Sequence, residues 1–254
     1  MFNLINFRIL LKVLPLTVGF CLAKLAIHNL GWEPWAFDSL TGSLFAAATF
    51  VTALVLGGTL ADFNSSLALP SQIANSLETI YDTSLMVESA HSEYTTEPLR
   101  VALIRIAQSI QAWLKKGKDI DSVKQALADL NPLFVPLGQL SGSAIATRVL
   151  DEQAKIRAKV RQIQIYRDFD FLVPAYILMG IFLIGAVIAL LLIRTERFSA
   201  NLTVSGFLFT SFMYLLILIR DLDNPFQYDG KSSVDVDLSA LTQVCRDFEN
   251  TKSR

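Results

Sequence analysis

Between Asp38 and Asp62 the chain runs for 23 residues, Ser39 to Ala61, without a charged side chain. At the rise of an α-helix that run reaches roughly 34 Å, enough to cross a hydrocarbon core roughly 30 Å thick. Buried helices of soluble domains are seldom so long, so the run predicts a membrane-spanning segment. It also carries threonines and a Gly57-Gly58 pair, which a simple anchor does not need. Small residues serve close helix packing in membranes, and they serve equally well to line a conduit. Composition alone leaves those two roles balanced.

The remainder of the chain suits the same setting. Of 254 residues 52% are hydrophobic and only 18% charged, which is apolar for a soluble domain. The formal net charge of −1 sets up no field for nucleic acid. Cys21 and Cys245 lie in an apolar segment and in the tail, so no disulfide framework is expected. The N-terminal segment has no small-x-small cleavage site, and Cys21 follows the bulky Phe20, so a retained first membrane segment is expected.

That first segment, about Ile9 to Leu30, holds Lys12 and Lys24 on either side of an uncharged run of 11 residues that contains Pro15. Ammonium groups on long stems can reach toward headgroups, which lets the segment span; a tilted interfacial helix is the alternative. Trp32 and Trp35 follow in GWEPWAFD, and paired indoles suit a membrane–water boundary. Phe171 to Ile193 and Phe198 to Ile219 are two further uncharged runs, separated only by RTER, and predict a tight helical hairpin. The helix before the hairpin is expected to run on into it, with a kink at Pro174.

Between Asp62 and Asp170 polar residues return and apolar ones recur at helical spacing. Leu99, Leu103, Ile106, Ile110 and Trp113 step by 4, 3, 4, 3 along one face. Pro70, Pro98, Gly117 and Asn131-Pro132 punctuate the region, which predicts four helices near 70–91, 98–116, 120–130 and 143–169. The last of these, with Ile145, Val149, Ile156, Val160 and Ile163 on one side, is the expected partner for the others. No strand pattern is visible. The expected fold is all-α, an integral membrane protein with four transmembrane helices and a helical cytoplasmic region. Its divisions are 1–61, a first transmembrane hairpin; 62–170, cytoplasmic helices; 171–220, a second transmembrane hairpin; and 221–254, a cytoplasmic tail. Lysines and arginines near Arg8, Lys12 and 155–167 place both termini and the 62–170 region in the cytoplasm of a cell whose inner membrane holds the chain; Arg194 and Arg197 run against that rule.

No enzyme is expected. His28 and His91 are isolated in sequence, with no metal-ligand spacing, no phosphate-binding glycine loop and no nucleophile elbow. Asp221, Asp223, Asn224 and Asp229, with Asp235 and Asp237 beyond, gather hard oxygen ligands in the tail and make calcium the one candidate cofactor, though without the spacing of an EF-hand.

Several stretches resemble one family. The tail DLDNPFQYDG (221–230), followed by VDVDLSAL, looks like the segment after the last membrane helix of bestrophins, and Val55 to Gly58 is similar to the Val-Leu-Gly of their pore helix. Asp62-Phe63, Pro70 and Leu77-Glu78-Thr79 resemble a bestrophin-like membrane family. The basic aromatic motif usual before the first bestrophin helix is not visible in NFRILLK, and Asp62-Phe63 replaces an arginine-tryptophan pair. Where the bestrophin neck stacks three bulky apolar residues, this chain has Phe50, Leu54 and Gly58, so the third ring is missing. The resemblance implies an ion channel, a pentamer and permeation by chloride or another small anion, and some bestrophins bind calcium near the tail segment.

One chain has too few helices to enclose a polar conduit, so conduction requires a symmetric homo-oligomer in the lipid membrane. The competing expectation is a non-conducting membrane scaffold or signalling protein whose cytoplasmic helices bind a partner. Within the second segment two faces compete for the pore. Thr49, Thr52 and Thr59 share one side, and Phe50, Leu54 and Gly58 lie roughly opposite. The apolar face is preferred, because threonine hydroxyls in helices are satisfied by their own i−4 carbonyls and need no pore to explain them.

Overall fold

The computed structural model of the chain describes residues 7–168, 173–228 and 234–250. They divide into two compact units, each with its own core. One is built from the segments before Asn64 and from Val173 to Asn224. The other takes Asn64 to Asp168, Pro225 to Tyr228 and the chain from Asp235 onward.

The first unit contains α1 (Phe7–Asn29), most of α2 (Ser39–Leu67), α8 (Val173–Leu192) and α9 (Phe198–Asp223). Each of these four helices is long and apolar enough to cross a membrane. The principal seam joins α1 to α9. Phe20 stacks on Phe209 with ring centroids 4.4 Å apart, and the hydroxyls of Thr17 and Thr210 meet at 2.8 Å. Gly206 permits this approach, since a Cβ there would stand 3.2 Å from the Cys21 sulfur. A second apolar cluster joins Ala48 and Val55 of α2 to Met179, Leu183 and Ala186 of α8 and to Phe212 and Ile219 of α9. Two residues of each connection pair as parallel strands, β1 (Trp35–Ala36) and β2 (Ile193–Arg194), Trp35 opposite Ile193. Two residues are too few to leave an alternating pattern, so this pairing has no sequence signal. The expected continuation of the 143–169 helix into the hairpin falls on residues 169–172, outside the described residues.

The second unit is a helical domain of α3 (Leu69–Ala90), α4 (Glu97–Lys116), α5 (Asp121–Ala128), α6 (Asn131–Ser141), α7 (Ser143–Asp168) and α10 (Ser239–Asn250). The stripe Leu99, Leu103, Ile106, Ile110, Trp113 is buried along its whole length, and so are Val149, Ile156, Val160 and Ile163. Gly117 ends α4 in the left-handed conformation, φ 63°. Three expectations need correction. Asn131-Pro132 opens a helix instead of a break. Proline's missing N–H costs nothing in a first helical turn, and α6 then buries Phe134 and Leu137. The stripe of α4 is covered chiefly by α5 and α10, while α7 packs against α3 and α6. Finally, the polar-looking tail supplies core: Phe226, Val236, Leu238, Leu241, Val244 and Phe248 are all buried. Tyr228, in a left-handed backbone (φ 47°), donates its hydroxyl to the Val236 carbonyl at 2.6 Å.

Candidate functional site

The second helix is the candidate site, and its burial pattern is asymmetric. Thr52 and Thr59 face inward with essentially no exposure, and their hydroxyls donate to Ala48 O at 2.7 Å and Val55 O at 3.0 Å. These bonds spend the hydroxyls on the helix itself. Thr49, on the same side of the helix, is exposed. Phe50 and Leu54 are 69% and 66% exposed, and Gly57 and Gly58 are open beside them. Together with Leu40, Ala46 and Ala53 they make a continuous uncharged strip that the chain itself leaves uncovered.

A second feature escaped sequence reasoning. Lys24, expected to extend toward headgroups, is fully buried. Its ammonium donates to Leu190 O at 2.7 Å, Leu191 O at 3.3 Å and Ile193 O at 3.0 Å. Leu190 and Leu191 carry carbonyls at the C-terminal end of α8 that have no partner within the helix, where the macrodipole also favours a cation, and Ile193 opens β2 just beyond. Glu33 lies 3.7 Å away as counter-ion, and its other oxygen meets His28 Nδ1 at 2.8 Å. The His28 ring stacks on Phe198 at the start of α9, centroids 3.8 Å apart. Asn201 adds a further donor to Ile193 O at 2.9 Å and accepts from the Ser205 hydroxyl at 3.0 Å. His28 is therefore isolated only in sequence. The available signal was Lys24 and His28 at i, i+4 on one helix face, with Glu33 in the following loop.

Asp221 and Asp223 close α9, Asn224 caps it, and Asp229 lies outside the described residues. Among the described residues no group of three His, Cys, Asp or Glu side chains is placed to hold a metal ion.

Four apolar spans, a helical second unit and almost no sheet define an all-α membrane protein. Its architecture is that of the bestrophins, which bears out at the level of the fold the resemblance seen in the sequence. A bacterial bestrophin homologue from Klebsiella pneumoniae superposes with a TM-score of 0.75 at 13% identity, covering 98% of this chain and 99% of that one. Two variants of the same homologue, an aspartate-to-alanine and a tyrosine-to-alanine substitution, give TM-scores of 0.74 and 0.73, each over 99% of this chain and 100% of that one. No protein-family model matches the sequence, and no curated protein matches it. The likeness therefore lies in the path of the chain and hardly in the identity of its side chains.

Proposed function

We propose that the protein is an ion channel in which α2 from each copy of a symmetric homo-oligomer surrounds a central pore. The observation that carries this reading is the uncovered strip on α2. A spanning helix presents Phe50, Leu54 and Gly58 outward while Thr52 and Thr59 are turned in and satisfied. Surrounded by its own copies, that strip becomes the wall of a conduit, narrow at Phe50 and Leu54, which gate by excluding water. Gly58 leaves the wall wide one turn later. Thr49, exposed next to Phe50, and Ser43, exposed two turns before it, are hydroxyls positioned to touch a passing ion. Small anions as the permeant species, five copies around the pore, and a cytoplasmic place for both termini and the second unit complete the reading; the bestrophin fold supports the first two and the basic residues flanking the spans the third.

Purified protein reconstituted in a planar bilayer under a potassium chloride gradient tests it. Unitary current steps are expected, with a reversal potential on the chloride side. Silent bilayers from verified, folded, inserted protein would refute conduction, and a reversal potential on the potassium side would refute anion selectivity.

A further inference from the structure

We propose that the second unit carries a binding site for a small molecule bearing two or more phosphate groups, in the hollow between the C-terminal half of α4 and α5. The hollow measures about 600 Å3, within the range of small-molecule sites. Its walls include Arg105, Lys115, Lys116 and Lys118, and no carboxylate lines it. Arg105 is partly engaged, by Asp129 Oδ2 at 3.3 Å. The three lysines have no carboxylate within 4.0 Å among the described residues, and Asp237 acts on Lys115 only through its more distant charge.

The end of α4 explains part of this charge, because cations in a last helical turn complement its carbonyls. That accounts for Lys115 and Lys116. It does not account for Lys118 beyond the helix, for Arg105 nearly three turns earlier, or for their convergence on one concavity. Three like charges held around a hollow repel each other, and a multivalent anion relieves that repulsion at once. Gln108 on the same walls supplies a neutral donor and acceptor beside the charges, while the Gln125 amide N–H is held by Asp129 Oδ1 at 2.9 Å and leaves its carbonyl as an acceptor, as a phosphate ester with a polar body needs. Inorganic phosphate alone would fill a small part of the volume and neutralise a part of the charge.

The test uses the full-length protein in nanodiscs of zwitterionic lipid, titrated calorimetrically with inorganic pyrophosphate. A parallel arm presents the same chemistry from the membrane, as nanodiscs containing phosphatidylinositol bisphosphate. Saturable binding is expected in at least one arm, and the arm that responds identifies whether the source is soluble or a lipid headgroup. The combined Lys115→Gln, Lys116→Gln, Lys118→Gln variant should bind about tenfold more weakly or worse. A matched variant, Lys124→Gln, Lys155→Gln, Lys159→Gln, loses the same charge elsewhere on the unit and should bind as the parent does. Five of the six lysines are exposed and Lys159 is half-buried, and long stems of this kind keep their ammonium in water, so both variants should melt near the parent. No saturable binding in either arm, or an equal loss in the two variants, would overturn the proposal. The readout is independent of conduction, so this site and the channel reading fail separately.

Discussion

Lys24 shows how much one side chain can hold in place. Its ammonium satisfies two carbonyls at the end of α8 and one in β2, and is answered by Glu33. Removing one member of such a buried set strands the others, at a cost of about 3–5 kcal/mol. Lys24→Met should therefore lower the midpoint of denaturant unfolding strongly, and Glu33→Gln, which keeps hydrogen-bonding capacity, should do so less. Equal midpoints for Lys24→Met and the parent would show that water or lipid replaces the ammonium. Asp237 is a solvent-side counterpart. Bonds from the Ser239 hydroxyl and N–H hold its carboxyl below the usual value of 3.8. A depressed carboxylate stabilises the fold above its unfolded-state pKa, and that contribution disappears as pH falls through the lower folded-state value. The Asp237→Ala variant should thus melt below the parent at pH 7, and the gap should persist to about pH 4 and close at more acid pH. A gap independent of pH would remove the charge from the account.

At the scale of elements, helices α1 and α9 meet where Gly206 faces the sulfur of Cys21. Gly206→Ala forces a Cβ to 3.2 Å from that sulfur, and overpacking of this kind costs about 1–3 kcal/mol. Adding Cys21→Ala should recover most of the loss. A double variant no better than Gly206→Ala alone would place the tightness in the backbone. Helix α2, like the other spans, keeps one face bare within its own chain. If Phe50 and Leu54 form the constriction, replacing either with Ala should raise open probability or conductance. Replacing Thr52 or Thr59 with Val should leave current nearly unchanged, because those hydroxyls are already bound to their own helix. Currents lost on the Val substitutions and unaltered by the Ala ones would hand the pore to the threonine face.

At the scale of the molecule, the tail completes the second unit. Helix α10 lies against both α3 and α4. The Arg100 guanidinium grips Glu97 with two bonds of 2.7 Å and reaches the Phe248 carbonyl at 2.7 Å. Phe248 also packs on Tyr81, ring centroids 4.7 Å apart. Truncating Phe248 to Ala should cost about 3–5 kcal/mol, read as lost amide-exchange protection throughout α3, α4 and α10. Protection lost in α10 alone would mean that the tail docks onto a unit already complete without it. Much of this architecture was legible beforehand. Uncharged runs of spanning length have one outcome in lipid, and the 4, 3, 4, 3 stripe of α4 must be buried somewhere, so the spans, the helical class and the core positions follow from local chemistry. The partners do not. That α4 turns its stripe to α5 and α10, that Asn131-Pro132 starts a helix, and that Lys24 turns inward to cap α8 depend on residues tens to more than a hundred positions away. An apolar stripe specifies that it will be covered but carries no record of what covers it, and a lysine stem reaches a headgroup or a bare carbonyl equally well. Only the packed chain, by bringing the end of α8 beside α1, decided between them.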